Sequence, residues 1–406
     1  MKPRSRSHLQ PWDLYNKSRS RVSRMLFAVL VLIASMEVIE SQFLVKTLPG
    51  FDGDLPFTLE TGHQCTLSYI GVGESDEVQL FYYFIESERN PNEDPLMLWL
   101  TRGPGFSGLS GLFYEIGALT IDYANSTLEK ARLEINPYSW TKATSIIFLD
   151  QPAGTGFTYA KTSEAYIIND TSVILKFNSC NALITPIYLG ADSYAGLVAP
   201  MIVQEIYNGN EVGKGPHINI QGYVLGNPLT YTSADFNSRI PYAHNMALLS
   251  DAIYKSTKEN CHGEYWNVDP NNSLCVHDLD VVDKDDNYLY SSVWANSKDV
   301  REALHIREYI NHVTTRNLAK LNGGDHDMVV PYISTINWIE SLNLPVIDDW
   351  RPWFVDEQVS GYTVNYSKYD YSLTFATVKG GGHTAPEYKP REFLSMIVRW
   401  LHKDTL

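Results

Sequence analysis

The 406-residue sequence contains no apolar run of bilayer-spanning length, no internal repeat and no low-complexity tract. A membrane helix needs roughly 20 apolar residues, repeat folds need a fixed period, and disordered chains need biased composition. The chain is therefore read as globular. Positive charge is in short supply: 32 Lys and Arg stand against 47 Asp and Glu, a formal net charge of −15. That balance disfavours nucleic acid and anionic membranes as partners. It suits a soluble secreted or vacuolar protein. Cysteine is also scarce, at four residues.

What is present at the N-terminus is a basic stretch, "NKSRSRVSR", followed by the short apolar "MLFAVLVLIASMEVIES". Basic n-region, short h-region and a small residue near Ser41 predict a signal peptide over residues 1–41, with an extended n-region and a signal anchor as the rival. Cys261 and Cys275 enclose a loop whose closure contributes ~3 kcal/mol in the chain-entropy model. Together with His262 and His277 they also form a candidate zinc set. The adjacent Cys-His pair lacks the usual ligand gap, so a disulfide is expected and no metal site. Cys65 and Cys180 have no evident partner. Glycosylation sequons stand at Asn125, Asn169, Asn271 and Asn365.

"VQLFYYFIES" alternates like a half-buried strand, while "PLMLWLT", "SIIFLDQP", "PIYLGADS" and "INIQGYVLGNP" are continuous apolar runs of buried-strand type. "YAGLVAPMIVQEIYN" has helical spacing, "SLTFATVKGGGH" reads as a strand ending in glycines, and "PREFLSMIVRWLH" reads as an amphipathic helix. Apolar strands alternating with helices predict an α/β fold with a mostly parallel central sheet. The more polar, helical stretch from about 235 to 322 is expected to be a cap inserted above it. The acidic "DLDVVDKDDN" within that stretch lacks the turn glycine and terminal glutamate of a calcium loop, so it reads as solvated.

Four expected strand ends carry chemistry: "WLTRGPGFSG", "YLGADSYAG", "LNGGDHDMVVP" and "VKGGGHTAPE". Ser193 lies between Ala191 and Ala195, the small-x-Ser-x-small pattern of a nucleophile elbow. Downstream come Asp325 and Asp327, then His383, in the order Ser, Asp, His. A serine hydroxyl needs an imidazole to accept its proton, and the imidazole needs a carboxylate to hold its tautomer. Backbone N–H groups of Gly103 and Tyr194 are placed to serve the oxyanion. One rival uses the same residues: Gly103–Gly108 matches G-x-G-x-x-G, with Asp122 about 20 residues further on where a ribose-binding acid stands. The glycine-containing stretch between them leaves little room for a helix and a strand.

These motifs, with "NPYSWTKATSIIFLDQPAGTGFTYA" and "GGGHTAPEYKPREF", resemble the plant serine carboxypeptidase-like proteins from about Leu48 to the C-terminus. The resemblance implies an α/β-hydrolase fold with a helical cap over residues 42–406, secretion or vacuolar targeting, glycosylation and disulfides. It implies Ser193 as nucleophile, His383 as base, Asp327 as the triad acid, and Gly103 and Tyr194 as oxyanion donors. Metal and organic cofactors are not implied. The family holds two chemistries: release of C-terminal residues from peptides, and acyl transfer from a glucose ester. Asp192 directly before the serine, and Thr101 where peptidases usually carry asparagine, favour acyl transfer. Thr101, Arg102 and Asp192 are the expected substrate-binding residues.

The chain also departs from the family pattern. Arg102 replaces the first glycine of a pair, Phe106 replaces a cysteine, and Ala191 replaces the glycine two residues before the serine, where it is expected to add crowding. "HQCTLS" looks inserted. The stretch before "PIYLGADS" is short for the family's long helix, and residues 276–323 lack much of the cap and the strand before the triad aspartate. These departures make a catalytically impaired relative the alternative expectation.

Overall fold

The computed structural model describes residues 44–61, 69–72, 75–103, 105–127, 130–166, 185–213, 217–280, 298–303, 326–327 and 329–406. The continuous apolar runs form the strands they predict, whereas "VQLFYYFIES", read as one strand, divides at Phe81 into Val78–Leu80, in a separate antiparallel sheet, and Tyr82–Ile85. β1 (Leu59–Thr61), β2 (Tyr82–Ile85), β3 (Leu96–Leu100), β4 (Ser145–Leu149), β5 (Ile187–Asp192) and β6 (Ile220–Gly226) make one sheet in the order β1-β2-β4-β3-β5-β6. β4, β3, β5 and β6 run parallel, and β1 and β2 add an antiparallel edge. β3, β4 and β5 are buried along their whole length, because side chains pointing alternately to both faces meet protein on each.

The alternation sorts the core into two layers. Met97, Trp99, Ile146, Phe148 and Tyr188 face one way, and Phe393 and Ile397 of the C-terminal helix (Pro390–His402) join their cluster. Leu96, Leu98, Leu100, Ile147, Leu149 and Leu189 face the other way, clustered with Ile202, Val203 and Ile206 of α1 (Ala199–Val212). Pro200 opens α1, and Gly213 at φ 63° closes it. This is the expected α/β sandwich, with the carboxyl ends of four parallel strands on one rim.

After the rim come α2 (Thr232–Asn237), α3 (Arg239–Asn245), α4 (Asp251–Cys261) and α5 (Ser273–Asp280), in the region read as a cap. A disulfide between Cys261 and Cys275 ties α4 to α5. Among the described residues no cluster of His, Cys, Asp and Glu could hold a metal ion, and no helix is long and apolar enough to cross a membrane.

One expectation about topology needs correcting. "SLTFATVKGGGH" does not join the parallel sheet. Its strand, β9 (Tyr371–Ala376), pairs antiparallel with β8 (Gln358–Lys368), which pairs with β7 (Val346–Val355) in a separate three-stranded sheet. His383 therefore reaches the site on the loop after this hairpin sheet. Residues 1–43 with the signal segment, Cys65 in "HQCTLS", Asn169 and Cys180, Asp325, and most of 281–325 lie outside the described residues.

Candidate active site

Ser193 follows the last residue of β5 and turns at once into a helical turn (Ser193–Leu197) that leads to α1. Its φ of 53° is left-handed, a conformation that costs a non-glycine residue about 1–2 kcal/mol and holds the side chain up off the sheet. Gly196 lets this turn approach the next strand end: a Cβ there would stand 2.4 Å from Cβ of Pro228. Ala191 is fully buried in the apolar layer of β5, and the elbow forms with it in place.

His383 is 7% exposed. Its Nε2 lies 2.9 Å from Ser193 Oγ, and its Nδ1 lies 2.9 Å from Asp327 Oδ2. Asp327 is fully buried, and its other oxygen accepts from the backbone N–H of Val329 at 2.6 Å and of Val330 at 3.1 Å. The two loops are tied directly, the N–H of His326 donating to the carbonyl of Gly381 at 3.2 Å. The three residues read from the sequence are thus in one hydrogen-bonded line. A buried carboxylate with one oxygen on backbone donors and the other on the imidazole fixes the ring so that Nε2 faces the serine.

Gly103, at φ 125°, lies beside Tyr194: a Cβ on Gly103 would stand 3.7 Å from the Tyr194 ring. The turn carrying one expected oxyanion donor is thus packed against the side chain of the other, Tyr194, which directly follows Ser193. Thr101 is buried, and its Oγ1 has no hydrogen-bond partner among the described residues.

Arg102 and Asp192 are also brought together, with a third residue that sequence reasoning missed. The backbone N–H of Arg102 donates to Asp192 Oδ1 at 2.6 Å, and its Nε lies 3.4 Å from Asp192 Oδ2 and 3.2 Å from Glu115 Oε1. Trp99 Nε1 donates to Glu115 Oε2 at 2.8 Å. The Arg102 side chain is 9% exposed, against 8% for Asp192 and 2% for Glu115. Burial pushes both carboxyls up, Asp192 well above its ordinary range with the charge of Glu115 adding to the rise. The guanidinium pulls both back down. A cavity of about 40 Å³ lies between Glu115, Asp192, Trp99 and His383, room for two or three waters.

Asp150, at the end of β4, is a second omission. Its carboxylate accepts from Ser107 Oγ at 2.6 Å, Gly108 N at 2.7 Å and Phe157 N at 2.8 Å. It thereby joins the glycine turn that carries Gly103 to the "QPAGTGF" loop. Burial pushes this carboxyl up to about 6. The only sequence signal was an acid closing a fully apolar strand.

The dinucleotide alternative fails on topology. Beyond Gly108 the chain makes one π-helical turn (Gly111–Glu115), then a two-stranded antiparallel ribbon of Leu119–Ile121 with Leu133–Ile135. Asp122 accepts from Asn125 within its own turn. Asn125 and Asn271 are exposed, whereas Asn365 lies within β8, its amide donating to Asp348 and its Oδ1 accepting from Thr374.

The family model described as serine carboxypeptidase matches residues 49–289 and 319–403. Serine carboxypeptidase-like 1 of Arabidopsis thaliana is 44% identical over 96% of this chain and 100% of its own length. Serine carboxypeptidase-like 17 of the same plant is 42% identical over 93% and 97%. The chain belongs to the serine carboxypeptidase family. The crystal structure of Kex1(Δ)p, a prohormone-processing carboxypeptidase from Saccharomyces cerevisiae, aligns with a TM-score of 0.65 over 90% of this chain and 96% of that one, at 18% identity. The fold is accordingly the α/β-hydrolase fold of that family. The alignment with the first plant relative runs over 451 positions, more than the 406 residues of this chain. At least 45 positions therefore face gaps, and the family match itself skips 290–318.

Proposed function

We propose that this serine carboxypeptidase family member works through a covalent acyl-enzyme on Ser193. The observation that carries this reading is the His383 imidazole, 2.9 Å from Ser193 Oγ on one side and 2.9 Å from Asp327 on the other. His383 Nε2 takes the hydroxyl proton as Oγ attacks the acyl carbonyl carbon, and Asp327 stabilises the resulting imidazolium. The oxyanion develops beside the N–H groups of Gly103 and Tyr194. The imidazolium then returns the proton to the leaving group, and a second nucleophile releases the acyl group by the same path.

Asp192 and Thr101 favour an ester donor, such as a glucose ester, with transfer to an alcohol or amine. Release of C-terminal residues from peptides is the close rival. The reaction needs neither a metal nor an organic cofactor. We place the protein in the secretory pathway, secreted or vacuolar, with residues 1–41 as the signal, 42–406 as the hydrolase domain and a cap at about 235–322. Among the described residues, Asn125 and Asn271 are the exposed sequons open to sugar.

The test is labelling by a fluorophosphonate probe, compared with Ser193→Ala, followed by product analysis with a glucose ester and a blocked dipeptide. Labelling that depends on Ser193 supports the acyl-enzyme. A folded chain that stays unlabelled supports the second reading, a catalytically impaired relative, which is favoured by Arg102 standing at φ 43° directly before the oxyanion glycine.

A further inference from the structure

The cluster beside the nucleophile has a composition with consequences for substrate choice. Arg102, Asp192 and Glu115 surround the start of the glycine turn, and Asp192 is the immediate neighbour of Ser193. Each carboxylate already has partners: Asp192 accepts from the backbone N–H of Arg102 and stands in ion-pair contact with its Nε, and Glu115 accepts from Arg102 and Trp99. The guanidinium remains charged at any working pH, and its Nε stands between the two acids, 3.2 Å from Glu115 Oε1 and 3.4 Å from Asp192 Oδ2. Two carboxyls and one guanidinium balance when the pair of acids holds one proton, so the cluster has no surplus positive charge. A substrate group entering beside Ser193 meets this balanced block, and beyond the His383 imidazole stands the buried carboxylate of Asp327.

An anionic group there would be desolvated without a free cation to receive it, and would stand near two or three carboxyls. In a site this buried, such an uncompensated charge is heavily disfavoured. A neutral group pays no such cost. We propose that Arg102 determines specificity at this site: by engaging Glu115 and Asp192 together, it selects a neutral leaving group and discriminates against one carrying a free carboxylate beside the scissile bond. This rests on the acyl-enzyme reading for the reaction, but the discrimination itself is a binding property and is separable from turnover.

Arg102→Gly is the informative variant. It removes the guanidinium and places glycine at a backbone φ of 43°, which glycine adopts without strain. Arg102→Met removes the charge and keeps the bulk, and so serves as a second variant if the first loosens the turn. The probes are N-benzoyl-phenylalanyl-leucine and its C-terminal amide, which differ only in that carboxylate. Their Kd values are measured by calorimetry on the Ser193→Ala chain, which cannot turn them over, with and without each Arg102 change. With Arg102 present, the amide is expected to bind at least as tightly as the acid. Removing the guanidinium should shift the acid-to-amide preference at least tenfold towards the acid.

An unchanged ratio in both variants would overturn the proposal. So would a tenfold preference for the acid that disappears with Arg102, since the guanidinium would then be an anion receptor. Failure of both peptides to bind any of the proteins would also count against it. A separate burst measurement with p-nitrophenyl acetate on the otherwise unaltered chain reports on the acyl-enzyme. If the burst is absent while the binding ratio shifts as expected, the reaction reading fails and the role of Arg102 stands.

Discussion

Two buried charged clusters meet at the carboxyl end of β5, and neighbouring residues separate them. Ser193, His383 and Asp327 form a line whose central member is an imidazole, a group that accepts and returns a proton near neutral pH. Asp192, Arg102 and Glu115 form a cluster whose central member is a guanidinium, a group that does neither. The carboxylates are held differently as well. Asp327 has one oxygen on two backbone N–H groups, a fixed cradle independent of any ion. Asp192 depends on Arg102 for its backbone donor and for its ion pair. The geometry of the first cluster suits proton transfer, and that of the second fixes charge in place.

The strongest way to break this comparison is to remove the mobile half. Ser193→Ala should lower acyl-enzyme formation from an activated ester by roughly a million-fold, as loss of a serine nucleophile does elsewhere. A folded variant retaining more than a hundredth of the burst would place the nucleophile on another residue. Asp327→Asn comes next, at about ten-thousand-fold in kcat. An amide beside Nδ1 selects the wrong imidazole tautomer, while Val329 and Val330 can still donate to its carbonyl oxygen. The variant should therefore remain folded by circular dichroism while losing activity. A loss below tenfold would show that His383 does not need this partner.

The mobile cluster was legible in the sequence and the fixed one only in part. An elbow tolerates small residues alone around its serine, so Ala191 and Ala195 marked Ser193. The chain order and glycine-rich approaches then marked His383 and the pair Asp325 and Asp327, of which the family resemblance singled out Asp327. Glu115 carries no such mark. It sits inside the apolar "GLFYEIG", and its donors, Trp99 and Arg102, come from a different strand end that only folding brings near. The continuous apolar runs revealed the central strands because burial on both faces leaves no other pattern. The hairpin sheet was missed because β7, "VIDDWRPWFV", combines adjacent aspartates with a proline, all poor strand formers. At a sheet edge they are tolerated, since one side of the strand needs no partner.

A third buried carboxylate sharpens the contrast. Asp150 accepts from Ser107, Gly108 and Phe157 and, at 3.5 Å, from Tyr83, with no cation paired to it among the described residues, and burial pushes it up to about 6. In the unfolded chain an aspartate titrates near 3.9. Between those values the native state binds more proton than the unfolded one. The contribution of this group is therefore fully present below about pH 4 and is lost as pH rises through about 6, on the order of 3 kcal/mol in all. Urea unfolding of the parent and of Asp150→Asn at pH 4.5, 5.5 and 7 should show the variant gaining on the parent as pH rises. Parallel curves would mean that Asp150 titrates alike in both states.

The smallest effect tests the fixed cluster from its far side. Trp99→Phe removes the indole N–H that donates to Glu115 Oε2 and keeps a ring against Trp140, which now packs edge-on at 5.4 Å. Losing a hydrogen bond to a charged, buried acceptor should cost about 2 kcal/mol. That donor also holds the Glu115 carboxyl down, so without it the carboxyl rises further. A native pKa raised further above the unfolded value removes stability as pH increases, so the cost should be larger at pH 8 than at pH 5. Equal costs at the two values would mean that Arg102 alone keeps Glu115 charged. The guanidinium would then be the sole organiser of the cluster, and the indole a packing neighbour.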